Sequence, residues 1–105
     1  MEFRSIYVTA ASLDEAKRIG RALVEERLVA CVNILPGATS LYRWEGAVHE
    51  DAETVFFAKT RADLVDAVVA RVTDLHGYDV PCVVALPIEA GNPDYLRCIA
   101  AETQG

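Results

Sequence analysis

Residues 30–46 read ACVNILPGATSLYRWEG: a strand-like apolar run enters Pro36-Gly37 and a second strand-like run leaves it. Had the chain simply turned there, loop composition would follow. Instead Ser40, Tyr42 and Trp44 alternate with Leu41, Arg43 and Glu45, the two-residue period of a strand. Proline has no amide proton and glycine tolerates positive φ, so the pair reads as a bend or bulge within one long strand. Two large aromatics then share one strand face, and something must cover them.

Upstream, LVACVNIL (28–35) is nearly all apolar and predicts a central strand buried on both sides. Downstream, Gly46 opens a polar turn, GAVHEDAE, and ETVFFAKT (53–60) forms the third strand, completing a hairpin. FRSIYVT (3–9) is the first strand. The S-L-D-E of Ser12 to Glu15 is a capping box, in which hydroxyl and carboxylate satisfy each other's backbone donors. Leu13, Ala16, Ile19, Leu23 and Val24 then recur at helical spacing. A second cap, T-R-A-D from Thr60, precedes Leu64, Val65, Val68, Val69, Val72 and Leu75, and His76-Gly77 ends that helix with glycine in the left-handed position.

CVVALPI (82–88) is the fourth strand, and Asn92-Pro93-Asp94 starts a last helix with a capping Asn, Pro at the first position and an acid near the positive end. The order is βαββαβ plus a C-terminal helix. That is an α+β chain of the ferredoxin-like type, an antiparallel sheet with two helices on one face, in one domain over residues 1–105. Two helices leave the second sheet face bare, although LVACVNIL and TVFFA carry apolar groups on both. The simplest cover is another copy of the chain, with the hairpin reaching across and burying Tyr42 and Trp44. A hydrophobic share of 52% in 105 residues agrees with apolar area hidden between subunits.

The net charge of −6, from 16 acidic and 10 basic residues with no Lys/Arg stripe, argues against nucleic acid as a partner. The N-terminal MEFRSIYVTAAS lacks the features of a secretory signal, and no apolar run approaches about 18 residues, so a cytoplasmic location without a membrane partner is expected. Cys31, Cys82 and Cys98 are odd in number, widely spaced and without a CxxC pair, and read as small buried apolar residues. Catalysis has little support: no Ser-His-Asp context, no phosphate-cradling glycine loop and no helix-borne histidine pair occur.

Three stretches, ACVNILPGATSLYRWEG (30–46), LHGYDVPC (75–82) and LPIEAGNPDYL (86–96), together with the element order, closely resemble the CutA family of divalent-cation tolerance proteins along essentially the whole chain. The resemblance implies a ferredoxin-like subunit in a compact homotrimer, similar in architecture to the PII signal-transduction proteins, with each hairpin extending onto a neighbour around a threefold axis. It also implies a link to tolerance of copper and other divalent cations, ion binding by some members, and no established enzymatic activity. The chain departs from the family pattern in four places. The usual His-Pro-Tyr is His76-Gly77-Tyr78, the acid that often follows the next proline is Cys82, and the aromatic of the last helix is Cys98. A cysteine near the end of the first strand, considered a copper ligand in some members, has no counterpart in IYVTAA.

Among single residues, His76 is the metal candidate, because imidazole suits copper and zinc and Tyr78 and Asp79 lie close in sequence. Its plainer role is a helix C-terminal histidine bonded to a carbonyl. His49, amid Glu45, Glu50, Asp51 and Glu53, reads as part of a solvated acidic turn. Cys82 and Cys98 form a soft copper pair only if the fold joins them. Lys59 near Tyr42, Trp44 and Tyr78 in an intersubunit cleft suits a small anion, or else pairs with Glu89 or another acid. The expected function is a non-enzymatic homotrimer that binds divalent cations, requires no cofactor and takes a metal such as copper. The alternative is a PII-like sensing or scaffold trimer with a small ligand held between subunits by Tyr42, Trp44, Lys59 and Tyr78.

Overall fold

Ile6, Val8 and Ala10 alternate along the first strand, and all three are buried against helices. The computed structural model describes residues 1–104. Its elements are β1 (Phe3–Ala10), α1 (Leu13–Glu25), β2 (Cys31–Trp44), β3 (Ala47–Arg61), a short 3-10 turn (Ala62–Leu64), α2 (Val65–Leu75), β4 (Val83–Ile88) and α3 (Pro93–Glu102). The four strands form one antiparallel sheet in the order β2-β3-β1-β4. This is the ferredoxin-like arrangement expected from the sequence. Ile19 and Leu23 of α1 and Val68 and Val72 of α2 close over Phe56 and Ala58 of β3 on one sheet face. Burial of side chains this size stabilises by about 1.5–3 kcal/mol each, so this layer holds the fold together.

Several local expectations are corrected. Strand β2 lies at an edge of the sheet, not its centre, with Asn33 and Leu35 exposed. The apolar run misleads because Leu28 and Val29 are buried in the loop before the strand, where they join the core. The hairpin turn is only Glu45-Gly46, at φ 49° and 79°, a two-residue turn whose twist matches antiparallel strands. His49, Glu50 and Asp51 are consequently strand residues opposite Tyr42, Leu41 and Ser40, not a solvated turn.

Thr60 does not cap α2. It stays in β3, fully buried, and its hydroxyl donates to the Leu28 carbonyl at 2.6 Å, while the helix begins without a side-chain cap. Gly77 is not left-handed either; His76 ends α2 in an extended conformation. Glycine there leaves room for the Glu15 carboxylate, because a Cβ would fall 2.8 Å from Glu15 Oε2 and push that flexible end aside. The capping box is half formed. Ser12 Oγ accepts from the Glu15 amide at 3.1 Å, but the Glu15 carboxylate reaches past Ser12 to the Ala11 amide at 2.9 Å.

At Pro36-Gly37 the register shifts, with Leu35 opposite Val55 and Ala38 opposite Glu53, and Gly37 takes φ 83°. One extra residue on β2 reverses the parity of everything after it. Asn33 and Leu35 before the bulge, and Ser40, Tyr42 and Trp44 after it, therefore all face away from α1 and α2. Without the bulge, Leu41 and Arg43 would take that face. α3 reaches the same side of the sheet, where Tyr95 Oη lies 3.0 Å from Cys31 Sγ and Ile99 is buried. Much of the face stays bare, with Leu35 52%, Trp44 51%, Val84 48% and Leu86 44% exposed. The cysteines are not buried as expected: Cys31 is half-buried, and Cys82 and Cys98 are exposed.

Candidate functional site

The end of β1, the hairpin and the segment after α2 enclose a groove of about 820 Å³. Its position depends on a polar node at the first turn of α1. Glu15 Oε1 accepts from the Ala11 amide and Oε2 from the Gly77 amide, both at 2.9 Å, so one carboxylate ties the helix start to the loop after α2. Arg18 adds a second tie by donating to the Leu75 carbonyl at 3.0 Å. Partial burial pushes the Glu15 carboxyl upward, but the two amide hydrogen bonds, with the nearby Arg18 charge behind them, outweigh it and hold the group below its ordinary value.

His76 sits beneath this loop with its side chain fully buried. Its Nε2 donates to the Thr9 carbonyl at 2.7 Å and its Nδ1 accepts from the Tyr78 amide at 3.1 Å. One ring nitrogen faces an acceptor and the other a donor, which selects the neutral Nε2–H form. Glu15 Oε1 stands 4.0 Å from Nε2. Asp79, by contrast, lines the groove itself.

Two of the three phenols that line the groove, those of Tyr78 and Tyr42, are paired with acids of β3. Tyr78 donates to Glu53 Oε2 at 2.9 Å, and burial together with that bond pushes its phenol up to about 12. Tyr42 donates to Asp51 Oδ2 at 2.5 Å, a bond that also raises its phenol, and its ring stacks on His49 with centroids 5.4 Å apart. The structure thus brings Tyr42, Trp44 and Tyr78 to one groove and leaves Lys59 outside it, where its ammonium donates to Asn33 Oδ1 at 2.6 Å instead of pairing with Glu89. Cys82 lines the groove, whereas Cys98 lies on α3. Tyr95, also on α3, is pushed up to about 12, first by its bond to Cys31 and then by burial. Among the described residues no three His, Cys, Asp or Glu side chains gather into a metal-holding cluster.

Sequence reasoning missed Glu15 as the node and Thr9 and Glu53 as groove residues. The capping motif did single out Glu15, but nothing local signals that its second oxygen serves an amide far along the chain.

A family model described as CutA1 divalent ion tolerance protein matches residues 4–102. The chain belongs to the CutA1 family. Over 98 residues it is 48% identical to the divalent-cation tolerance protein CutA of Thermus thermophilus, covering 93% of this chain and 95% of that one. It is 46% identical over 99 residues to the chloroplastic CutA 1 of Oryza sativa, covering 94% of this chain but 56% of the rice protein, so it spans little more than half of that relative. The crystal structure of Oryza sativa CutA1 superposes with a TM-score of 0.96 at 43% identity, covering 99% and 95% of the two chains. The periplasmic divalent cation tolerance protein CutA of Archaeoglobus fulgidus superposes with 0.94 at 39% identity, covering 97% and 99%. No helix among the described residues is long and apolar enough to cross a membrane.

Proposed function

We propose that the chain works as a non-enzymatic homotrimer that binds divalent cations, copper among them, and thereby takes part in divalent-cation tolerance. The observation that carries this reading is the bare sheet face. Leu35, Val84 and Leu86 continue into the exposed Trp44 of a projecting hairpin in a molecule 44 Å long and 25 by 22 Å across. Exposed apolar area of this kind on a small chain favours a subunit contact, and we read a second copy of the chain as its cover. The names of the relatives support the cation.

The metal donors we assign are Asp79 and, more conditionally, His76. Asp79 is in the groove wall and reaches a ligand directly. His76 becomes a donor only by surrendering its bond to Thr9 or to Tyr78. No three donors gather in one described chain, so the remaining ligands come from water or from a neighbouring copy.

Native mass spectrometry of untagged protein purified without chelators tests both parts. A trimer retaining copper or zinc is the expected spectrum, and a monomer overturns the assembly. Calorimetry with Cu(II) and Zn(II) that finds nothing tighter than roughly millimolar removes the metal function. His76→Ala and Asp79→Asn, compared in that titration, separate the two donors.

A further inference from the structure

Where α1 ends, a position that favours glycine carries arginine. Glu26 caps the helix, the Arg27 amide donates to the Val24 carbonyl at 3.0 Å, and the Leu28 amide donates to the Leu23 carbonyl at 3.0 Å. These are the paired bonds of a helix stop in which the residue after the cap turns left-handed. Arg27 takes φ 59° there, at a steric cost that glycine does not bear. Its side chain does what glycine could not.

The Arg27 guanidinium closes the far end of α3. Its Nη2 donates to the Ala101 carbonyl at 2.8 Å and its Nε to the Glu102 carbonyl at 3.2 Å. Thr103 Oγ1 donates to the carbonyls of Ile99 at 2.8 Å and Ala100 at 3.3 Å. The four carbonyls that a helix leaves unpaired at its end are thus all satisfied, two of them from another element. α3 has no basic residue in its own last turn, and Arg27 supplies the positive charge that a helix end attracts. Gln104 repeats the tie, its backbone amide donating to the Arg27 carbonyl at 2.8 Å and its side-chain amide to the Glu26 carbonyl at 2.9 Å. Little else among the described residues holds α3: of its ten residues only Ile99 is buried, and a helix of that length is marginal alone.

We propose that α3 is a strap that opens from the sheet as a unit while the rest of the fold stays closed, and that Arg27 is the residue that keeps it shut. Elements that bury little apolar surface open at a lower free energy than the core they cover. By contrast, α1 buries Ala16, Ile19 and Leu23, and α2 buries Val68 and Val72. Opening breaks the contact between Tyr95 and Cys31 and adds the ground beneath Ile99 to the bare sheet face, so the strap sets how much of that face a second copy meets. The strap goes beyond the proposed function, and only that last consequence rests on it.

Hydrogen exchange of the full-length native protein in increasing urea tests the strap. The amides of residues 97–102 should exchange as one group, at least about tenfold less protected than the core amides of β1 and β3, and with a shallower urea dependence because opening the strap exposes less surface. Val72→Ala should speed the core amides and leave the α3 group unchanged, since the strap opens without disturbing α2. Arg27→Gly should lower the protection of α3 about tenfold and that of the core by less, because glycine relaxes the turn that both share. Arg27→Asn, which also accepts a left-handed φ and shortens the side chain, should do the same. An α3 group with the urea dependence of the core, a Val72→Ala that speeds both groups alike, or an Arg27→Gly that leaves α3 unchanged overturns the proposal. Exchange is read at two protein concentrations beside native mass spectra of the same samples. Protection of α3 that follows the degree of assembly would mean that a neighbouring copy and not Arg27 holds the strap, which also overturns it. A trimer whose α3 exchanges with the core sinks only the strap, and a monomer with two exchange groups sinks only the proposed function.

Discussion

Gly77 and Glu15 lie 62 residues apart in sequence, yet the Gly77 amide donates to Glu15 Oε2 at 2.9 Å, and that bond joins the first turn of α1 to the wall of the groove. The other oxygen of the same carboxylate takes the Ala11 amide. A single side chain thus anchors the start of one helix and positions the loop that follows another.

Removing the carboxylate should destabilise the fold in proportion to the two hydrogen bonds lost. Glu15→Ala is expected to cost about 1–2 kcal/mol, since each hydrogen bond lost is worth about 0.5–1.5 kcal/mol net and both amides lie at the surface, where water takes the place of the carboxylate. Glu15→Gln should cost less, because its oxygen still accepts one bond. Urea midpoints at constant slope measure both.

The same group sets an acid dependence. Its folded value lies below its ordinary one, so its contribution is fully present above the ordinary carboxylate range and is lost as pH falls through the folded value. The stability gap between the native protein and Glu15→Gln should therefore be constant near neutrality and close on acidification below the usual carboxylate range. A gap that widens in acid would contradict the bond pattern.

Gly77→Ala tests the close approach from the other side. The new Cβ meets only the far end of the Glu15 side chain, and the backbone at Gly77 is not left-handed, so the carboxylate must swing away and the cost should be near ~1 kcal/mol. In a Glu15→Ala background that cost should vanish. A double-mutant cycle reads the coupling, and additivity would show that the two positions do not interact.

Deleting Gly37 should turn the outer hairpin over. The bulge places Tyr42 and Trp44 on the bare face, and removing its extra residue assigns that face to Leu41 and Arg43. The expected result is a shift of Trp44 emission and loss of assembly in native mass spectra. A trimer that survives the deletion would mean that Tyr42 and Trp44 do not make the contact.

Thr60→Val should cost about 1–3 kcal/mol despite being nearly isosteric, because it leaves the buried Leu28 carbonyl without the hydroxyl that donates to it at 2.6 Å. Thr60→Ser should recover most of that, as measured by the urea midpoint.

The amino-acid sequence by itself determined what depends on neighbours a few positions apart. The periods of two and of 3.6 placed the strands and helices. Ser12 and Asn92 marked two helix starts, both with the side-chain oxygen accepting an amide as expected. The Pro36-Gly37 stretch showed one interrupted strand, not a turn. The sequence was weaker where one residue type has two local uses: Gly46 closes a tighter turn than the polar run suggested, and Thr60 resembles a cap but serves a strand.

Only the tertiary structure decided that β2 is an edge, that Lys59 turns to Asn33 and away from the groove, and that both nitrogens of His76 are occupied. It alone paired Tyr78 with Glu53, 25 residues away, and Gly77 with Glu15. The physical reason is that a helix turn or strand pleat is read from consecutive residues, whereas the groove is made where the sheet order brings the end of β1, the hairpin and the loop after α2 together. No spacing along the chain encodes those distances, and the chemistry of the site exists only once they are closed.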